Sequence, residues 1–381
     1  MKALRFERKP VKYAAAAVAG RIGPGKGAGV GPLALRDVDP PELPSGEWVR
    51  FRPRLAGICG SDLATIDGRS SRYFEPIVSF PFTPGHEVVG DLDDGTRAVL
   101  VPVLTCATRS IEPPCRSCSA GAINHCQRIA FGHLEPGLQS GFCADTGGGW
   151  STSMIAHTSQ LIPIPEDLSD EAAVMVEPTA CAVHAADLVG RARAVAVIGT
   201  GTLGLLTIAA LQQHATVGTI IATAKYPEQK RFAKELGAGH VVAPGELGRA
   251  IRLATGAFVL GDRQLTDGVD LVVDCVGSSE SIAQALEVVA PGGDIVLVGM
   301  PGHTTLDLTG LWHREASIGG SYAYTRADFT KAVDLVASAD LGRLVSATYP
   351  LARYTEAIEH AATAGRRGAV KVAFDLRDER R

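Results

Sequence analysis

One ten-residue stretch limits the fold of this chain more than any other. In VAVIGTGTLG, Gly199, Gly201 and Gly204 stand at G-x-G-x-x-G spacing, after an apolar run and before a helical one. Gly199 permits a tight turn, Gly201 lets a pyrophosphate approach the backbone, and Gly204 allows close helix–strand contact. The helix N-terminus adds positive potential. From residue 194 onward, apolar and amphipathic runs alternate: AVAVI, LGLLTIAALQQH, TIIAT, PEQKRFAKELGA, HVVA, VDLVVDCV, SESIAQALEVV and DIVLVGM, with weak patterning around 246–267. Apolar strands between amphipathic helices predict a parallel sheet covered on both faces.

The first ~160 residues differ in texture. They are rich in Gly and Pro, with short apolar runs such as EWVRFRPRLAGI and RAVLVPVL. This predicts many short strands with wandering loops, no long helix, and a plain loop at the glycine-rich 20–31 segment. Near Leu168 the pattern turns helical: SDEAAVMVEPTACAVHAADLV offers Ser169 as N-cap and acids in the first turn. The last ~60 residues offer isolated strands and one helix. At 381 residues the chain exceeds what one core accommodates, so two domains are expected.

Charge excludes some partners. The 37 basic and 41 acidic residues leave a net charge of −4 without a basic block, which argues against nucleic acid or an anionic membrane. No apolar run approaches the ~20 residues of a membrane span. Lys9 and Lys12 before YAAAAVAG imitate a signal peptide, but that core is short and Arg21 follows at once. The eight cysteines stand at metal spacings more than disulfide spacings, and the chain is expected to be cytoplasmic.

Three of those cysteines, Cys115, Cys118 and Cys126, fall within PPCRSCSAGAINHC and read as zinc ligands. Three further pieces carry donors: AGICGSD has Cys59 and Ser61, TPGHEVVG has His86 and Glu87, and VEPTACAVHA has Glu177. A thiolate, an imidazole and a carboxylate form a mixed set that suits zinc and leaves an exchangeable position. Taken singly, each has a plain alternative: Cys59 as a small buried hydrophobe, His86 as a satisfied core histidine, Glu177 as a helix-terminal acid. Cys143, Cys181 and Cys275 have no partner pattern and read as packing residues.

In this order, before a dinucleotide turn, the motifs resemble those of the zinc-dependent medium-chain dehydrogenase/reductase family, from LALRDVDPPELP to GAVKVAFDL. The resemblance implies an α/β chain: a GroES-like, mostly-β catalytic domain at 1–176 and 322–381, interrupted by a Rossmann doubly wound domain at 177–321, with the active site in the cleft between. It implies two zincs. Cys59, His86 and Glu177 would bind the catalytic one, with Glu87 exchangeable. The structural one would sit in a lobe at about 104–128. The family's lobe has four cysteines, and Glu112 stands where its first is expected. Cys106, nine positions before Cys115, is favoured over Glu112 and over His125 because a thiolate is the softer ligand.

The same resemblance implies oxidation of an alcohol or reduction of a carbonyl by hydride exchange with a nicotinamide. Ser61 matches the hydroxyl that carries the proton away. Many relatives place a histidine three residues later, where this chain has Ala64, so Asp62 or a water chain would have to serve. The cofactor-binding set is expected to comprise Gly199, Gly201, Thr202, Leu203, Gly204, Ala224, Lys225, Cys275 and Val298. Ala224 falls where an NAD site wants an acid, and Lys225, Lys230 and Arg231 follow, so NADP is favoured over NAD. Glu177, where simple-alcohol enzymes of the family usually have cysteine, tilts the substrate towards a secondary alcohol of polyol, sugar or cyclitol type. Trp150 and His184 are left outside the site. The family forms dimers and tetramers, and DIVLVGM reads as an edge strand able to pair across subunits. The alternatives are an NADPH-dependent C=C reductase, which typically lacks the catalytic zinc ligands, and a non-enzymatic dinucleotide sensor.

Overall fold

A computed structural model describes residues 1–261 and 264–379. The chain forms two compact units, one from Met1–Glu177 together with the part from Thr325 onward, the other from Pro178–Tyr324. Glu177 thus closes the first unit, within the helix Val176–Asp187 that runs across the boundary.

The first unit is built on a sheet in which Val345–Tyr349, Lys371–Asp375, Trp48–Gly57, Val88–Asp91, Arg97–Leu100 and Leu161–Pro163 lie side by side, and Met154–His157 also pairs with Trp48–Gly57. The return strand Lys371–Asp375 runs antiparallel to Trp48–Gly57, with Ala373 opposite Gly57. Strands from both ends of the chain therefore share one core, packed from Leu4, Phe51, Phe82, Trp150, Met154 and Phe374.

The second unit is a six-stranded parallel sheet in the order His240–Val242, Thr216–Thr223, Arg191–Ile198, Val269–Asp274, Val289–Leu297, Ser317–Gly320. Its central strands are apolar over Ala194–Ile198 and Leu271–Val273, where helices cover both faces, while Arg193 and Asp270 pair at their more exposed end. On one face Leu247 and Ile251 pack against Ile221, Val272 and Ile295.

Several expectations are corrected here. A 13-residue helix, Pro10–Ile22, lies in the region where no long helix is read from the sequence. Its apolar face is weak, but Pro10 at the first turn and a run of alanines favour helix on propensity alone. The glycine-rich loop after it contains a short helix, Gly27–Val30, anchored where buried Asp67 accepts backbone N–H bonds from Gly25 at 2.9 Å and Gly27 at 3.1 Å. The helix expected from Ser169 is two pieces, Asp170–Ala173 and Val176–Asp187, with the Ser169 hydroxyl accepting from the Ala172 N–H. The weakly patterned segment resolves into the helix Leu247–Thr255 and an antiparallel pair, Val259–Leu260 with Gln264–Leu265.

DIVLVGM is not an edge. The strand Val289–Leu297 lies between Val269–Asp274 and Ser317–Gly320, and the latter is the outer strand. That outer strand is only four residues, SIGG, half of them glycine, and carries no strand pattern in the sequence. Among the described residues no helix is long and apolar enough to cross a membrane.

Candidate metal centres and dinucleotide turn

The mixed donor group forms in the first unit where three backbone segments converge. Cys59 caps the helix Gly60–Ile66 in an extended conformation, held by its N–H donating to the Asp62 carboxylate at 3.0 Å. His86 and Glu87 follow Gly85, whose φ of +98° only glycine adopts freely and whose missing Cβ would meet the Trp150 ring at 2.4 Å. One ligand atom each from Cys59, His86 and Glu87 lies within 4.8 Å of the others. Glu177 is not one of these three, although it is buried and close enough for its charge to act on both His86 and Lys371.

The surroundings fix the orientation of each donor. Asp62 is 1 % exposed, and one of its oxygens lies 3.6 Å from Nδ1 of His86 with no other partner for either atom. This leaves Nε2 as the ring's outward donor, the arrangement in which a carboxylate orients a metal-binding histidine. Burial opposes a charge on the ring, but Asp62 above all, together with Cys59 and Glu177, outweighs it and raises the His86 pKa well above its usual value. Burial also raises Asp62, partly offset by His86.

Glu87 is held by a cation that sequence reasoning missed. Lys371, on the return strand, donates to the Glu87 carboxylate and, at 3.2 Å, to the carbonyl of Ile58. Both side chains are buried. Burial disfavours the ammonium, yet Glu87, Cys59 and Glu177 raise its pKa above the ordinary lysine value. A lone lysine inside the apolar run GAVKVAF was the available signal. Ser61 lies half-buried in the first turn of the same helix, and Ala64 is buried on it. Trp150 donates to the Gly57 carbonyl at 3.1 Å and packs on Phe374, so it is a core residue. His184 lies within the helix Val176–Asp187.

The second donor group is the lobe. The sulfurs of Cys106, Cys115, Cys118 and Cys126 all lie within 4.8 Å of one another. Glu112 and His125 are exposed and outside the group. Backbone N–H groups of Cys115, Gln127 and Arg128 point at the sulfurs of Cys106, Cys115 and Cys126, at 3.3–3.4 Å. Against burial, such bonds pull the Cys115 thiol down to about 6, whereas burial pushes Cys118 and Cys126 up. Four converging sulfurs with N–H bonds already aimed at them fit a divalent, thiophilic ion and leave no open position.

In the second unit the strand Arg191–Ile198 leads through Gly199 to Gly201 into the helix Thr202–His214. Gly199 has φ of +86°, a Cβ at Gly204 would lie 1.8 Å from the Gly199 carbonyl, and Gly201 has open space in front of it. Thr223 ties the turn to the next strand, accepting from the Gly199 N–H at 2.9 Å, while the Thr200 hydroxyl donates to its carbonyl at 3.0 Å. Ala224 is buried and Lys225 exposed. Arg231 is committed elsewhere, paired with Glu228 and Glu235 and lying over the Phe232 ring. Cys275 packs behind Gly204, near the Thr207 hydroxyl, with burial pushing its thiol up to about 12. Val298 continues the neighbouring strand, its N–H donating to Asp274.

Comparison with known proteins agrees with these two architectures. The family model described as "Alcohol dehydrogenase GroES-like domain" matches residues 45–166, and that described as "Zinc-binding dehydrogenase" matches residues 202–338. Sorbitol dehydrogenase of Bacillus subtilis is 28% identical over 330 residues, 82% of this chain and 86% of that protein. L-idonate 5-dehydrogenase of Vitis vinifera is 27% identical over 364 residues, 89% and 91% of the two chains. A crystal structure from Sinorhizobium meliloti, assigned as a zinc-binding dehydrogenase and bound to NADP, superposes with a TM-score of 0.73 at 25% identity, covering 98% of each chain. The chain belongs to the zinc-dependent medium-chain dehydrogenase/reductase family, a family of alcohol oxidoreductases with a GroES-like part and a Rossmann part.

Proposed function

We propose that this chain is an NADP(H)-preferring, zinc-dependent dehydrogenase of secondary alcohols of the polyol, sugar or cyclitol type, acting from the cytoplasm. The observation that carries the reading is the convergence of Cys59, His86 and Glu87 in one buried group, oriented by Asp62 and Lys371. The names of the sorbitol and idonate dehydrogenases support the polyol class.

A zinc ion held by Cys59, His86 and Glu177, with Glu87 as exchangeable ligand, would supply Lewis acidity towards the substrate oxygen, and a bound nicotinamide would take or give the hydride. The chain's own residues do the rest. Asp62 sets the ring of His86 so that Nε2 faces the donor group. Lys371 holds Glu87 in reserve. Ser61 relays the alcohol proton, taking it at its oxygen while passing its own hydroxyl proton on to water, and the same relay runs backwards on carbonyl reduction. In the other unit, Gly199, Gly201, Thr202, Leu203 and Gly204 receive the pyrophosphate, while Cys275 and Val298 line the neighbouring strand ends. With Ala224 in place of an acid, no carboxylate repels a 2′-phosphate, and the exposed Lys225 and Lys230 are the cations left to meet it, because Arg231 is already paired. The lobe holds a structural zinc through Cys106, Cys115, Cys118 and Cys126.

The test is zinc content together with turnover. Protein purified without chelators is expected to carry two zincs per chain and to oxidise members of a polyol panel, with higher kcat/KM for NADP than for NAD. Protein without zinc at Cys59, or active only on conjugated C=C bonds, contradicts the reading.

A further inference from the structure

The widened loop between Cys106 and Cys115 buries a cation. Arg109, in the turn Ala107–Arg109, is 1 % exposed. Its guanidinium donates at 3.0 Å and 2.9 Å to the carbonyls of Phe131 and Leu134, and at 3.2 Å and 2.9 Å to those of Glu135 and Gly137. Among the described residues, no carboxylate lies within 4 Å of it. Its Nε has no partner. A buried charge without a counter-charge is expensive, and carbonyl dipoles alone replace only part of its hydration.

The turn that carries Arg109 is fastened to the first lobe ligand, the Arg109 N–H donating to the Cys106 carbonyl at 3.2 Å. Burial pulls the guanidinium pKa down, and the nearby Cys143, Cys126, Asp145 and Cys106 offset this only in part, the Asp145 carboxylate being engaged with the Glu135 N–H at 2.6 Å. Of these, Cys143 stays a thiol, pushed up by burial. Four thiolates around a divalent ion carry two excess negative charges, and that charge would sit buried beside Arg109. Arg128, also near the lobe, is exposed, so its charge is largely spent on water.

We propose that Arg109 is a positioning residue of the four-cysteine lobe: its buried charge balances the metal-bound thiolates, and its carbonyl bonds fasten the 131–137 segment to the metal. The inference rests on the reading of the lobe as a zinc site. It explains why the loop is longer than the spacing of the other three cysteines would require, since the extra residues carry Arg109 inward. It also links the lobe to the donor group, because the same segment continues to Phe142, whose ring lies 5.9 Å from that of His86.

The experiment measures zinc release from the full-length protein into excess EDTA with a colorimetric dye, in the Cys59→Ala background so that the lobe's metal is the one counted. Arg109→Gln keeps hydrogen-bonding capacity but removes the charge, and is expected to release zinc about tenfold faster or more. Arg109→Lys keeps the charge and is expected to stay within about threefold of the parent. Equal acceleration in both variants, or none in Arg109→Gln, overturns the proposal. Should Arg109→Gln fail to fold, trypsin cleavage at the buried Arg109 itself in the otherwise unaltered chain answers the question. The proposal expects cleavage to appear on removal of the lobe's zinc, and continued protection overturns it. If the Cys59→Ala protein carries no zinc that Cys115→Ser removes, the lobe reading itself falls, whatever Arg109 does.

Discussion

Replacing Lys371 by methionine isolates the cation that holds Glu87. Both side chains are at most 3 % exposed, so neither charge is rescued by water when the other is removed. Breaking a buried pair from one side costs about 3–5 kcal/mol. A unit of this size loses about 2–4 °C of Tm per kcal/mol, so Lys371→Met is expected to lower the Tm of zinc-loaded protein by about 6–20 °C. Glu87→Gln should also destabilise, since it leaves the ammonium unpaired. The double variant should be more stable than the sum of the singles by about 1–3 kcal/mol, because it removes both charges at once. Thermal or urea unfolding of the four proteins, each with its zinc content measured, closes the cycle. Strict additivity would refute the ion-pair reading. The pH dependence follows with the sign for a raised lysine. The pair's stabilisation is fully present below the unfolded lysine value, near ~10.4, and is lost as pH rises through the higher folded value. No loss attributable to Lys371 is expected between pH 6 and about 9.

Other outcomes test the remaining assignments. Ala224→Asp is expected to lower the NADP-to-NAD ratio of kcat/KM by about tenfold or more, since the new carboxylate repels a 2′-phosphate. An unchanged ratio would show that this strand end does not read the ribose. Cys106→Ser should remove one zinc per chain while Glu112→Gln removes none; the reverse result would exchange the two as fourth ligand. Glu177→Ala is expected to lower zinc occupancy at the donor group and kcat together, and wild-type values of both would remove Glu177 from the site.

The parts of the site that a short motif marks were legible, including Cys59, His86 and Glu87 from separate motifs, and the partner that no motif marks was not. The glycine turn declared itself because its function and its packing require glycine at the same three places. Gly204 shows this directly, since no side chain fits against the Gly199 carbonyl. The lobe cysteines were visible from spacing, and Cys106 was reachable by ligand chemistry alone. Lys371 was not, because nothing local says that a lysine in GAVKVAF will lie beside a residue 284 positions earlier. The helix Pro10–Ile22 was missed for a different reason. Its alanines satisfy helix propensity without producing the periodic apolar face that identifies a helix in sequence. The outer strand Ser317–Gly320 is too short and too glycine-rich to carry a pattern, which leaves DIVLVGM as the last strand that the sequence shows.

Gly57 shows how tightly the return strand and the donor group depend on each other. It stands opposite Ala373 in the antiparallel pair, its N–H donates to the Glu87 carbonyl at 2.8 Å, and its own carbonyl accepts from Trp150. A Cβ there would lie 1.9 Å from a Glu87 carboxylate oxygen and 2.9 Å from the Lys371 side chain. The backbone partners are fixed by the sheet, so the side chains of Glu87 and Lys371 would have to yield. Gly57→Ala is therefore expected to reduce zinc at Cys59 and His86 while the distant lobe keeps its own, leaving about one zinc per chain and little turnover. Two zincs with undiminished kcat would mean that Glu87 can leave its place beside Lys371 without consequence. The arrangement described for the donor group would then be only one of several that the chain can use.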